Sequence, residues 1–417
     1  MVGRPSSREL PVRMSTDDLA FFGGNPLFET PRPLGQLAAP DLETFLVLAK
    51  EALDNGQLTG GPFVAELEER LADFHEVRHC VAVANAALGI TMLMRVFAAG
   101  RMGEVIMPAF TYPGLPHFAR FAGQQPRFCD VCTDTHGLDP AAVRAAINGD
   151  TTSILGVCNS NGPPEIEELE RIGSETGVPV FFDSVDGLGM TYGGRQLGRF
   201  GRAEVFSLHA TKLLNGFEGG YVTTEDEGLA DLLRWQCDHA SPDSQPEAAG
   251  AMHALGLNAN LSELHAAMAL LSIEQVPGVI ARNRARYEQY EKVLTGLPGM
   301  RLLAARTSPA EKTNWRRVVA EISAQWPLTR DQTVALLQAE SAEIAPYYSP
   351  PLHHSVHCPP GYDVQPLPVC ERLATQYLQL PVGELVSRDD IRKLGHWLAF
   401  VAHHGEAISA LMAKGEA

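Results

Sequence analysis

The sequence predicts an α/β fold: a mostly parallel sheet covered by helices on both faces, followed by a smaller C-terminal α+β unit. Three observations predict it. Helical apolar periods alternate with short Val/Ile/Phe runs from about residue 65 to 183. The 417 residues, 45% of them apolar, suffice for one substantial core plus a second, smaller one. After residue 224 the pattern turns largely helical, and Leu297-Pro298-Gly299 then marks a passage into a new unit.

Taken in order, a helix is expected over 65–74, a strand over 80–83, a helix over 87–99, a strand over 104–107 and a helix over 116–121. The alternation continues with a strand at 126–128, a helix over 140–148, a strand over 153–157, a helix over 166–176 and a strand over 178–183. Strands separated by helical crossovers are parallel and buried on both faces, which places functional groups at the strand ends. Helices are expected over 229–237, 262–273 and 279–297. The chain divides into a disordered leader over 1–18, a large unit over 19–275 and a small unit over 276–417, and Met14 is an alternative start to Met1.

Composition excludes several classes of partner. With 33 Lys and Arg against 50 Asp and Glu, the net charge of -17 provides no phosphate-neutralising stripe for nucleic acid or an anionic membrane. A nucleotide-linked small substrate stays compatible with it. Seven scattered cysteines suit reduced thiols, and no apolar run approaches the ~18 residues of a membrane span, so a cytoplasmic protein is expected.

The chemistry concentrates in two runs. Val178-Pro179-Val180-Phe181-Phe182-Asp183 is an apolar strand ending in an acid, and Ser207-Leu208-His209-Ala210-Thr211-Lys212 brings a lysine to the end of another. A carboxylate at a pyridine nitrogen and a lysine at an aldehyde carbon define a pyridoxal 5'-phosphate site. Asp183 would keep the ring nitrogen protonated so that the ring withdraws electrons. Lys212 would form a Schiff base and, once freed, carry the substrate's proton. Val83-Ala84-Asn85-Ala86-Ala87-Leu88-Gly89 lies where a strand turns into a helix whose N-terminal amides can face a phosphate.

The block from Glu204 to Lys212, followed by Asn215 and Phe217-Glu218-Gly219-Gly220, closely resembles the lysine block of the DegT/DnrJ/EryC1/StrS aminotransferases, and the resemblance runs from about residue 21 to 398. It implies a fold-type I transferase and a homodimer with a shared active site. Ala87, Leu88 and Ser207 would then meet the phosphate, Tyr112 would stack on the ring, and Asn258 would enter the neighbouring subunit's phosphate site. His353 would contact substrate. The activity implied is amino transfer, with glutamate as donor and a keto-sugar nucleotide as acceptor. Two alternatives are a non-nucleotide ketone or aldehyde, such as a cyclitol, and a catalytically silent regulatory homologue. Dehydratases of the family replace the lysine with histidine, so Lys212 counts against that activity.

Departures from the pattern bear on the substrate. Asp186 stands where relatives carry glutamine or histidine, and as an ionised group it would repel the cofactor's phenolic oxygen unless protonated, turned away or paired with a cation. Ala87 replaces a threonine, so the amides of Ala87 and Leu88 must do more. Cys158 and Ser160 replace a histidine and a bulky aromatic, which reshapes the pocket, and Asn260 replaces a basic residue. Cys129 and Cys132 form a lone CxxC at a strand end, His353, His354, His357 and Cys358 lie in a proline-bounded loop, and neither pattern supplies the paired spacing of a metal site, so no metal is expected. Gly193-Gly194-Arg195-Gln196-Leu197-Gly198 reads as a turn rather than a dinucleotide fingerprint.

Overall fold

The computed structural model describes residues 15–249, 256–304, 311–362 and 365–415. Its strands are β1 (His79–Val83), β2 (Glu104–Pro108), β3 (Gln125–Cys129), β4 (Thr151–Val157), β5 (Val180–Asp183), β6 (Thr191–Tyr192), β7 (Arg195–Gln196), β8 (Glu204–Ser207), β9 (Gly220–Thr224), β10 (Met300–Leu302), β11 (Val318–Ile322), β12 (Ala345–Pro346) and β13 (Tyr377–Leu380). Helices of the first part are α1 (Leu42–Asn55), α2 (Pro62–His75), α3 (Ala86–Ala98), α4 (Leu115–Phe121), α5 (Pro140–Ala146), α6 (Ile166–Thr176), α7 (Glu227–Cys237), α8 (Glu263–Ile273) and α9 (Val276–Leu294). They are followed by α10 (Arg330–Ala339), α11 (Pro368–Gln376) and α12 (Arg388–Gly415).

Seven strands form the main sheet in the order β1-β9-β8-β5-β4-β2-β3. From β8 to β3 neighbours run parallel, and β9 alone is antiparallel to both its neighbours. All seven residues of β4 and all four of β5 are buried, as a central parallel strand requires when helices cover both faces. Phe181 points into the core beneath α3 and α4, whereas Phe182 packs on the opposite side with α6 and α8 residues. Burying a phenylalanine fully is worth about 2–3 kcal/mol, so the two anchor the strand that ends at Asp183 from both faces.

The second sheet has the order β10-β11-β13-β12 and packs on α9, α10 and α12. Here packing departs from the expected boundaries. Leu19 and Phe28, assigned to the large unit by sequence, are buried in the C-terminal core with Tyr290, Trp397 and Leu380. Glu340 holds them there by accepting from the amides of Ala20 and Leu27 at 3.0 and 2.7 Å. Val276 and Val279 lie in the large core while Tyr287, Tyr290 and Leu294 lie in the small one, so α9 belongs to both units and 275/276 is not a packing boundary. Most of the expected leader, Met14 included, falls outside the described residues, and Thr16–Asp18 form a 3-10 turn capped by Ser15.

Among the described residues no single helix is long and apolar enough to cross a membrane. All seven cysteines, including Cys129 and Cys132, are free thiols. The predicted turn at 193–198 is the tip and exit of the β6–β7 hairpin.

Candidate active site

Strand and helix ends of the large unit meet two segments of the small unit at a cavity of about 380 Å³. Asn85, Ala86 and Ala87 reach it from the N-terminus of α3, Thr111 and Tyr112 from the loop after β2, and Asp183 and Asp186 from the end of β5. Ser207 closes β8 and Lys212 comes from the loop after it, while Arg316, Arg317 and Tyr348 come from the small unit. All the large-unit groups lie past the carboxyl ends of parallel strands or at a helix start, where an open α/β sheet leaves a crevice.

Lys212 is not at a strand end, as the sequence suggested, but inside the 208–219 connection between antiparallel β8 and β9. That loop is held by its own backbone: Ala210 N donates to Phe217 O at 2.9 Å and Gly216 N to Leu208 O at 2.7 Å. Glycine is required where it closes. A Cβ on Gly220 would stand 2.5 Å from the amide nitrogen of Ala86, and Gly219 has φ +138°, so β9 passes against the start of α3 only without side chains. Gly220→Ala should therefore push α3 away from the cavity and weaken cofactor retention at least ~10-fold in equilibrium dialysis, with the far-UV spectrum unchanged.

The electrostatics are set by burial. Asp183 is 2% exposed and accepts the amide of Val185 at 3.1 Å. Burial pushes its carboxyl up to about 6, against that amide and the Lys212 charge. Lys212 Nζ lies 2.9 Å from Asp186 Oδ1, and burial, with Arg316 beside it, brings the amine down to about 8, opposed by Asp186. Asp186 takes Arg316 Nη1 at 2.8 Å on the same oxygen and Arg317 Nε at 2.7 Å on the other. Burial by itself would raise this carboxyl, but Arg316, Arg317 and Lys212 together hold it well below the ordinary aspartate range. Of the three ways to accommodate an aspartate here, pairing with a cation is the one present.

The residues fit pyridoxal phosphate. The cavity offers a buried acid for a ring nitrogen, an amine of lowered basicity for an aldehyde carbon, and, at Ala86, Ala87 and Ser207, a helix N-terminus with a hydroxyl for a phosphate. Tyr112 lies on its rim, half-exposed, with ring area free for stacking.

Other expected site residues are distributed differently. Leu88 does not line the cavity, and its amide donates at 2.9 Å to the Asn85 side chain, the N-cap of α3, so it is spent within the helix start. Asn258 is exposed and bridges Asp238. Cys158 lines the cavity but is buried, 3.4 Å from Ser184 Oγ, and burial raises its thiol well above the usual value. Ser160 turns aside and donates to Tyr347 Oη at 2.6 Å. His353 lies in a separate cleft beside β3, with Nε2 3.3 Å from Glu371 Oε1, so the structure does not bring it to Lys212. His354 meets the same oxygen at 3.3 Å, and ligand atoms of the three residues lie within 4.8 Å of one another.

Sequence reasoning missed Arg316, Arg317 and Tyr348. A detectable signal existed for the arginines: two adjacent cations opening the apolar run Val318-Val319. Tyr348 has φ +51° and Trp315, just before the arginines, φ +55°, conformations unusual for bulky residues and often found at binding sites.

The chain is similar to DesI, solved in the presence of its TDP-sugar product, with 37% identity, a TM-score of 0.88, and coverage of 96% of this chain and 100% of that one. It is similar to DesV of S. venezuelae, solved with a ketimine intermediate, at 27% identity and TM-score 0.73, covering 85% and 94% of the two chains. Helicobacter pylori PseC, an aminotransferase of pseudoaminic acid biosynthesis, shares the fold at 20% identity and TM-score 0.80 over 90% and 100% of the chains. The family model matches residues 41–399, and the chain belongs to the DegT/DnrJ/EryC1/StrS aminotransferase family, which uses pyridoxal phosphate.

Proposed function

We propose that this aminotransferase takes an amino group from glutamate and delivers it to a keto-sugar nucleotide. The observation that carries the acceptor is the 37% identity with DesI over nearly the whole of both chains, DesI having been solved with a TDP-sugar product. The net charge of -17 favours small molecules over nucleic acid or an anionic membrane as partners.

Bound in the cavity, pyridoxal phosphate supplies an electron sink for the carbon that loses its proton. The chain's own residues do the rest. Asp183, buried at the end of β5, would accept from the ring nitrogen and so orient the ring. Ala86, Ala87 and Ser207 would hold the phosphate end, Tyr112 would be available for stacking, and Asn258 of a second copy would add to the phosphate site. Lys212 Nζ moves the proton at the reacting carbon. With its basicity lowered to about 8, a useful fraction is neutral near pH 7.5 and can accept that proton. Cys158 and Tyr348 also line the cavity.

The dimer has its own support. Leu42, Leu46, Val47 and Leu53 are exposed on α1, an apolar face that soluble monomers seldom leave open. The Phe45 ring touches Phe217 of the lysine loop at 5.5 Å, so a partner seated there adjoins the cavity. Leu46→Glu combined with Val47→Glu should convert a dimer to a monomer in light scattering and release cofactor; an unchanged mass would reject α1 as the interface.

The activity is tested by the visible spectrum of the cofactor-loaded protein. Glutamate should convert the aldehyde-form band to the amine-form band, and a TDP-linked keto-sugar should restore it with formation of amino-sugar. Conversion by glutamate without return by any nucleotide sugar, but with return by a cyclitol ketone, would assign the acceptor to the non-nucleotide class.

A further inference from the structure

We infer that Arg316 and Arg317, held in place by Asp186, form the receiving site for the carboxylate that sits next to the reacting carbon of the amino donor. Asp186 is the positioning residue and the two guanidinium groups make the contact.

The pair is built, not incidental. The backbone approaching it is pinned: Asn314 Nδ2 donates to Asp186 O at 2.7 Å and Leu188 O at 2.9 Å, and Gln36 Nε2 donates to Arg316 O at 2.8 Å. Arg316 also donates to Thr211 O at 3.4 Å, next to the lysine, and Arg317 donates to Gln379 of β13. Both guanidiniums line the cavity, and Arg316, only 6% exposed, keeps a buried Nε without a hydrogen-bond partner. An unsatisfied buried donor on a cation calls for an acceptor.

Charge counting points to an anion. Three cations, Lys212, Arg316 and Arg317, share the single carboxylate of Asp186. During the reaction Lys212 passes through its neutral form, and Asp183 is matched by a protonated ring nitrogen. Asp186 then faces two guanidinium groups, leaving one positive charge in excess at the largely buried wall of the cavity. A single carboxylate balances it, and the planar guanidinium fork suits that group better than a lysine would.

Position selects which anion. Lys212 Nζ and Arg316 Nη1 touch the same oxygen of Asp186, so they lie within two hydrogen-bond lengths of each other. In an α-amino acid the carboxylate is one bond from the carbon that Lys212 deprotonates. In a nucleotide sugar the sugar ring separates the diphosphate from the keto carbon, too far to reach this pair while the keto carbon is at Lys212. The cofactor phosphate is held at the start of α3. Asp186 thus replaces a neutral donor in order to hold two cations that the donor needs.

Since this presupposes the glutamate half-reaction, the test separates the two. Glutarate, which has the carboxylates of glutamate but no amino group, is titrated calorimetrically into the cofactor-loaded dimer of the natural protein, Arg317→Gln, Arg316→Gln and Arg317→Lys. Thymidine diphosphate is titrated in parallel. Each variant is first checked for an unchanged unfolding midpoint, and Arg317→Lys, which keeps the charge, serves if a glutamine variant does not fold. Glutarate affinity should fall about 10- to 100-fold in the glutamine variants and recover in part in Arg317→Lys, with KM for glutamate rising in parallel and thymidine diphosphate affinity unmoved. In the natural protein, glutarate and thymidine diphosphate should bind together. Unchanged glutarate affinity in the variants, weakened thymidine diphosphate binding, or mutual exclusion of the two ligands would overturn the assignment. If the natural protein's spectrum does not respond to glutamate at all, the proposed donor fails instead.

Discussion

Lys212→Ala should lose turnover by at least ~10³- to 10⁴-fold while leaving the fold and the cavity intact. In the proposed mechanism the residue has two jobs, covalent attachment and proton carriage, and among the described residues Lys212 is the only lysine lining the cavity. Its contacts explain why the loss is chemical rather than structural. The loop is fixed by backbone bonds among Leu208, Ala210, Gly216 and Phe217, none of which uses the side chain. Removing the amine leaves Asp186 with both arginines, so the carboxylate stays paired. Single-turnover spectra with glutamate would record the effect: the amine-form band should fail to appear over hours. A normal rate in the variant would remove Lys212 from the mechanism. In the natural protein the rate with glutamate should rise as pH increases toward about 8, where the lysine loses its proton.

The second large effect is on stability. Asp186→Ala should destabilise the protein by about 3–5 kcal/mol, because it leaves two buried guanidinium groups and a lysine without their shared counter-charge. The direction of the pH dependence follows from the lowered carboxyl: its contribution is complete above the ordinary aspartate value of 3.8 and is lost as pH falls below it. Asp183 acts in the opposite sense. Its carboxyl is raised to about 6, so stability from that group declines as pH rises from 3.8 to 6. Denaturant unfolding at pH 7 checks the first claim, and Asp186→Ala with Arg316→Leu and Arg317→Leu should recover much of the loss if charge imbalance is the cause. A single variant as stable as the natural protein would show that water reaches the cluster.

These effects also mark how far sequence alone reached. Most of the βα alternation was legible because β4 and β5 carry the short apolar runs 154–157 and 180–182 and α6 is amphipathic, each signal being local. The short two-residue strands β6, β7 and β12 carry no period, and α9 belongs to two cores, which no local pattern can announce. His353 shows the opposite case: its Pro-Pro-Leu-His run resembles a substrate-contacting segment, yet the 3-10 turn at Leu352–His354 faces it toward Glu371 and away from Lys212.

What the sequence by itself determined is the cofactor chemistry and the sheet that carries it, since an acid closing an apolar strand and a lysine in a Ser-x-x-x-x-Lys block are read from neighbours along the chain. What only the tertiary structure decided is the state of Asp186 and the make-up of the cation cluster. Its arginines come from the small unit, 130 and 131 positions from the acid they neutralise. Charge pairing depends on distance through space and on the exclusion of water, and both are set by how the two sheets close on each other.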